Sequence, residues 1–221
     1  MGKVIVIEGL DGSGKQTQTE KLYNRLIAEG KKVMKISYPR YDNQSSSLVK
    51  MYLSGEFGKD PNAISPYITS TFYAVDRYAS FKQDYEQFYK DGGIVLLDRY
   101  VTSNIIHQAS KIKDKEEKEK FLAWLWDFEF NMFGLPVPDK VFFLNISPDV
   151  SHKLIEERKN KFSGEAQKDI HENNMEYLEA TYKNACELIE KYKWAEITCV
   201  KDGSLRTIED IHEEIYSKCE L

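Results

Sequence analysis

The segment from Lys3 to Thr19, KVIVIEGLDGSGKQTQT, constrains the fold more than any other stretch of the chain. Val4-Ile5-Val6-Ile7 is a continuous β-branched apolar run, too short for a helix, and reads as a buried parallel strand. Gly9, Gly12 and Gly14 follow at once, and without a Cβ they can take positive φ and let a phosphate approach bare backbone. From Gln16 to Glu29 the apolar residues Leu22, Leu26 and Ile27 recur at helical spacing, and Gly30 closes the pattern. A helix therefore begins on the glycine turn, and its first N–H groups carry the positive end of the helix dipole.

The order G-x-x-x-x-G-K, Gly9 to Lys15, is a P-loop in its proper context between a strand and a helix. It predicts a nucleotide-phosphate site built from Gly9, Leu10, Asp11, Gly12, Ser13, Gly14, Lys15, Gln16 and Thr17. One position departs from the pattern: Gln16 stands where a Ser or Thr hydroxyl usually holds Mg²⁺. An amide oxygen is a hard ligand on a longer arm, so nucleotide oxygens and water are expected to carry most of the coordination.

Four more apolar strands are expected, near Lys32 to Ser37, Ile94 to Leu97, Lys140 to Leu144 and Glu196 to Val200, with helices between them. That alternation predicts an α/β fold of three layers, a five-stranded parallel sheet flanked by helices on both faces. The second strand runs into Tyr38-Pro39-Arg40-Tyr41, which puts Arg40 beyond a carboxyl end, where open parallel sheets bind ligands. Gln44 to Leu53 reads as a helix. Ser65-Pro66 reads as a cap opening a long helix that ends at Lys90, before Gly92-Gly93. Tyr73 and Arg77, four residues apart on it, share a face.

The third strand ends in Asp98-Arg99-Tyr100, a carboxylate placed to orient metal-bound water and a guanidinium placed to face a phosphate. Ser103, Asn104, His107 and Gln108 then line one side of the next helix. The run KIKDKEEKEK from Lys111 reads as a solvated connection, and the aromatic helix after it as core or dimer face. A helix from Pro148 to Arg158 leads into Lys159 to Gly164, a basic segment with the composition of a lid.

Composition narrows the partners. The net charge of -5 disfavours nucleic acid or an anionic membrane as a bulk electrostatic partner. Of 31 basic residues only six are arginines, the residue suited to bidentate phosphate contacts, which singles out Arg40, Arg77, Arg99 and Arg158. Cys186, Cys199 and Cys219 lie far apart, without metal or disulfide spacing, and suggest free thiols in a reducing cytoplasm. The N-terminal apolar stretch of four residues is too short for a leader or a membrane span.

EGLDGSGKQTQ, YPRY, FYAVDR, LDRYVTSN, PVPD and DIHE, at Glu8, Tyr38, Phe72, Leu97, Pro136 and Asp169 onward, resemble the thymidylate kinase family nearly end to end. The resemblance implies one kinase domain over residues 1–221, with an acceptor-binding region at about 38–80, a lid at about 158–169, and a homodimer. It implies transfer of the γ-phosphoryl of Mg²⁺-ATP to dTMP. By the matching motifs, Lys15 and the loop amides hold the β and γ phosphates. Arg40 and Arg99 hold the acceptor phosphate, and Asp11 contacts its sugar or, with Asp98, the metal through water. Tyr73 stacks on the base, Arg77 and Asn104 read its edge, Ser103 and His107 face the acceptor, and Arg158 with Lys161 reaches the transferred group. Two further departures are Tyr73 where the family usually has Phe, and His107 where a Tyr near the sugar is common.

Another nucleoside monophosphate or deoxynucleoside kinase would keep the same core. A P-loop GTP switch would need N-K-x-D, and the sequence offers only Asn160-Lys161-Phe162-Ser163.

Overall fold

The protein's computed structural model describes residues 1–161 and 175–220, with side chains for all of these but 155–161. Its centre is a five-stranded sheet of β1 (Lys3–Gly9), β2 (Val33–Ser37), β3 (Ile94–Asp98), β4 (Lys140–Asn145) and β5 (Ala195–Thr198). The order is β2-β3-β1-β4-β5 and every pairing is parallel. Each crossover carries helix, as parallel neighbours require.

The period of two along β1 divides the core into two layers. Ile5 and Ile7 face one side, where Leu22 and Leu26 of α1 (Lys15–Ala28) and Ile211 and Ile215 of α9 (Ile208–Ser217) cover them. Val4 and Val6 face the other, against α5 (Val101–His107), α6 (Lys115–Trp126) and α8 (Met175–Tyr192). Leu22 and Leu26 are fully buried, and truncating either to Ala removes burial worth about 2–5 kcal/mol. Two short strands, β6 (Val200–Lys201) and β7 (Ser204–Leu205), form an antiparallel hairpin after β5.

Several local expectations are corrected. The helix expected as one piece to Lys90 is α3 (Pro66–Ser80), a π turn at Phe81–Tyr85, and α4 (Glu86–Lys90). Apolar spacing is nearly unchanged by one inserted residue, so periodicity does not reveal the turn. Pro66 does occupy the first turn of α3, but Ser65 makes no side-chain cap bond. Gln44–Ser46 is a 3₁₀ turn ahead of α2 (Ser47–Leu53), and α7 (Pro148–Lys161) runs past Arg158. The lid expected at about 158–169 therefore begins on α7, and its remainder lies outside the described residues.

Within the charged run, Asp114 caps α6 by accepting from Glu117 N at 2.9 Å. Lys111, expected to be solvated, is half-buried and donates to Tyr52 Oη at 3.0 Å. Among the described residues no helix is long and apolar enough to cross a membrane.

Candidate active site

The carboxyl ends of β1 and β3 are in register at Ile7 and Asp98. Arg99 N donates to Ile7 O at 3.2 Å and Tyr38 N to Asp98 O at 3.0 Å, so three segments leave the sheet at one point. A cavity of about 1030 Å³ opens there. Its walls come from the loop after β1, the ends of β2 and β3, α3, α5 and the β6–β7 region.

The glycine loop is sterically fixed. A Cβ on Gly9 would stand 2.6 Å from Ser13 Oγ and 3.0 Å from Leu144 O, so only glycine fits. Gly14 caps α1 at φ 88°, ψ 14°, a left-handed conformation that glycine adopts without strain. The start of α1 carries no side-chain cap and no acidic residue in its first turn, which leaves its positive end open to an anion.

Lys15 is buried and donates to Leu10 O at 2.7 Å. Burial first, and then the neighbouring Arg99, bring its pKa down to about 8, against the opposing pull of Asp11, Asp98 and Glu8. Arg99 takes φ 68° and pairs with Asp11, with Glu8 Oε1 3.9 Å from Nη1. Burial opposes its charge, but Asp11, Glu8 and Asp98 outweigh burial and raise its pKa. The loop thus holds alternating charges that an arriving polyphosphate can reorganise.

Another part of the cavity lining is built by α3 and α5. Arg77 is 1% exposed and donates from Nε and Nη2 to Glu129, each at 2.6 Å. Burial alone would lower its pKa, but the Glu129 charge reverses the direction. Asn104 Nδ2 donates to Ser70 O and to Glu129 Oε1, both at 3.2 Å. Ser103 donates to Glu8 Oε2 at 2.8 Å. His107 Nε2 lies 3.5 Å from Arg99 Nη1, and its Nδ1 lies 3.4 Å from the hydroxyl of Tyr177 on α8.

Asp11, Gly12, Ser13, Gly14, Lys15, Gln16 and Thr17 line the cavity, as do Tyr73, Arg77, Asp98, Arg99, Ser103, Asn104 and His107. Gly9 and Leu10 underlie the loop without reaching the lining. Arg40 is not brought into the lining, although Tyr38, Pro39 and Tyr41 are. Its Nε binds Asp76 at 3.2 Å, its Nη2 binds Ser45 at 3.0 Å, and its Nη1 pairs with Asp84. The side chains of Arg158 and Lys161 lie outside the described residues.

Sequence reasoning missed several contributors. Glu8 is fully buried and accepts from Thr102, Ser103 and Gly9 N. A carboxylate closing an apolar strand, the signal that marked Asp98, could have marked Glu8 as well. Cys199, Leu205, Arg206 and Ile208 form the far end of the cavity and carry no local motif. Arg206 is held rigid by Thr198 O at 2.7 Å, Asp210 at 2.6 Å and Glu214 at 2.5 Å.

Asp98, Asp11 and Gln16 bring hard oxygen donors to the cavity lining, the donor type that Mg²⁺ takes. Among the described residues no three His, Cys, Asp or Glu side chains converge to hold a metal. The donor set therefore fits an ion that arrives with a nucleotide.

The thymidylate kinase family model matches residues 7–215. The thymidylate kinase of Mycobacterium tuberculosis (strain ATCC 25618 / H37Rv) is 32% identical over 179 residues, covering 80% of this chain and 81% of that protein. The thymidylate kinase of Schizosaccharomyces pombe is 28% identical over 214 residues, covering 97% and 90%. The solved structure of thymidylate kinase from Candida albicans superposes with a TM-score of 0.68 at 20% identity, covering 98% of this chain and 90% of that one, which supports the fold. With a family match that spans almost its whole length, a P-loop between β1 and α1, and Arg99, Arg77 and Asn104 lining one cavity, the chain belongs to the thymidylate kinase family.

Proposed function

We propose that this protein transfers the γ-phosphoryl group of ATP to dTMP, giving ADP and dTDP. What carries the proposal is that a P-loop lysine, Lys15, and the arginine and asparagine side chains of α3 and α5 border a single cavity in a chain of this family. Lys15 and the loop N–H groups take the β and γ phosphates. The far end beside Leu205, Ile208 and the immobilised Arg206 guanidinium takes the adenine, since a fixed guanidinium plane is a stacking surface for a base.

The acceptor lies against Tyr73 with its base edge toward Arg77 and Asn104, its sugar toward Asp11, Ser103 and His107, and its phosphate toward Arg99. Arg40 reaches that phosphate by leaving Asp84; the roles the resemblance gives Arg158 and Lys161 fall on side chains outside the described residues. No general base is needed, because the second pKa of a phosphate monoester is about 6 and the acceptor oxygen is mostly deprotonated at neutral pH. That oxygen attacks the γ phosphorus, the bond to the β–γ bridging oxygen breaks, and ADP leaves with the electron pair. Lys15 and Arg99 offset the repulsion between the two polyanions and the charge of a loose transition state. Asp98 and Asp11 would hold Mg²⁺ arriving with ATP, and the ion would add to the charge neutralisation that Lys15 and Arg99 provide.

An acceptor panel with ATP in excess tests the assignment by ADP release. Preference for dTMP over purine monophosphates and unphosphorylated nucleosides is expected; preference for any of the others would move the protein to another kinase specificity.

A homodimer is part of the same proposal. Ile68, Val75 and Tyr78 expose apolar surface along α3, and Tyr78 packs on Phe133 beside the 70% exposed Met132. Light scattering should give twice the chain mass, and Val75→Glu should halve it. The three cysteines, unpaired with one another, suit reducing cytoplasm.

A further inference from the structure

Glu129 touches no wall of the cavity, yet it organises the two residues that do. It lies in a π turn, Asp127–Met132, that continues α6, and it is 0% exposed. Single π turns are uncommon and recur at functional sites, because the extra residue redirects the side chains that follow. Here the redirected side chain is a carboxylate inside the aromatic run WDFEFNMF, where burial of an unpaired charge would be prohibitive. It is paired instead with Arg77 through both oxygens, and Oε1 also accepts from Asn104 Nδ2.

The carboxylate has only acceptors, and this fixes polarity at the cavity. Both hydrogens of the Asn104 amide are committed, one to Glu129 Oε1 and one to Ser70 O, so Asn104 has its Oδ1 acceptor left over. Arg77 spends Nε–H and one Nη2–H on Glu129 and one Nη1–H on Tyr100 O, at 3.3 Å, and keeps two donors. One acceptor beside unspent donors complements a pyrimidine with N3–H and a 4-keto oxygen. It mismatches a 4-amino pyrimidine, which carries an acceptor at N3 and a donor at position 4.

We propose that Glu129 is a positioning residue that sets selection of 4-keto over 4-amino pyrimidine acceptors, acting through Asn104 and Arg77. The proposal rests on the base-reading role given to those two residues above. Glu129→Gln offers a donor where the carboxylate accepts, so Asn104 can turn its amide and Arg77 loses one of its two bonds. A site built on paired hydrogen bonds rejects the mismatched base strongly, so loosening it should be visible in the ratio of kcat/KM for dTMP over dCMP.

That ratio should fall by about 10-fold or more in Glu129→Gln, through a raised KM for dTMP, while the KM for ATP stays unchanged. Glu129→Asp keeps the buried charge, so it serves if the Gln variant does not fold, and its shorter reach should give an intermediate ratio. In an Asn104→Ala background the effect of Glu129→Gln should shrink, because the two act through one contact. Unchanged dTMP/dCMP ratios in both Glu129 variants would overturn the proposal and leave the function assignment standing. A wild-type protein inactive on dTMP would instead overturn that assignment, and this proposal with it.

Discussion

Arg99 leaves β3 in the left-handed region and pairs with Asp11, so the end of one strand holds the loop that follows its neighbour. Lys15 Nζ sits 4.0 Å from the same Asp11 carboxylate. A buried lysine and a half-buried arginine therefore share a small set of carboxylates, and the protonation of Lys15 depends on what else is present.

That arrangement makes ATP binding proton-linked. Burial and Arg99 place the Lys15 pKa at about 8, so near pH 8 about half of the lysines are neutral before nucleotide arrives. Phosphate oxygens favour the charged form, so binding should take up protons. Calorimetry at pH 8 in buffers of different ionisation enthalpy should give different apparent enthalpies, and Lys15→Met should abolish the difference. A buffer-independent enthalpy in the wild type would show that Lys15 is already charged. Lys15→Ala should also cut turnover by about 10²-fold or more, as expected for loss of one preorganised charge contact.

Gln16 is exposed on the cavity wall, one residue past Lys15. With the ion held by nucleotide oxygens and water, Gln16→Ala should leave the Mg²⁺ concentration for half-maximal rate nearly unchanged. A rise beyond the roughly 10- to 100-fold that loss of an outer-shell partner can cost would make the amide a direct ligand.

Lys111 links burial to pH-dependent stability. Burial lowers its pKa from 10.5 to about 7, only partly opposed by Asp60. Between those values the unfolded chain binds more protons at this site than the folded one, so its contribution makes stability rise with pH from about 7 to about 10.5. Below about 7 both states are charged and the whole penalty persists. Lys111→Met should raise the denaturant midpoint most below pH 7, with the gain shrinking toward pH 10. A gain that does not vary with pH would trace the effect to packing against Tyr52 instead.

The chemistry near the chain's start was readable because it is local: strand, glycine turn and helix are contiguous, and Asp98-Arg99 closes an apolar strand in the same manner. The alternation of strands and helices likewise gave a parallel five-stranded sheet. What was not readable was long-range. Arg77 and Glu129 are 52 residues apart, and a buried pair leaves no periodic trace beyond a lone acid in an aromatic run. Arg40 was readable as a residue just beyond the end of β2, but not its retention by Asp76 and Asp84, which come from α3 and the following π turn. Neither was Arg206, which the β6–β7 hairpin returns to Cys199, where its N–H donates to Cys199 O at 2.9 Å and its side chain joins the cavity lining.

His107 carries the last prediction. It lines the cavity with Asp11, Arg99 and Ser103, and Tyr177 approaches its Nδ1 side at 3.4 Å while Nε2 turns toward Arg99 at 3.5 Å. The ring is thus set between α8 and the end of β3, on the wall assigned to the sugar. Imidazole is shorter than the phenol common at this position in the family, and it can hydrogen-bond a 2′-hydroxyl where a phenol ring would crowd it. Shape alone excludes an added hydroxyl by only about 10²-fold even in a well-formed pocket, so a shorter ring should weaken that exclusion. The wild type should therefore prefer dTMP yet tolerate ribothymidine 5′-monophosphate better than His107→Tyr does. The measurement is the ratio of kcat/KM for dTMP over the ribonucleotide in both proteins, with the KM for ATP as a control on the loop. A higher ratio in the tyrosine variant assigns sugar selection to His107; an equal or lower one assigns it to Asp11, and leaves His107 as the link between Arg99 and Tyr177.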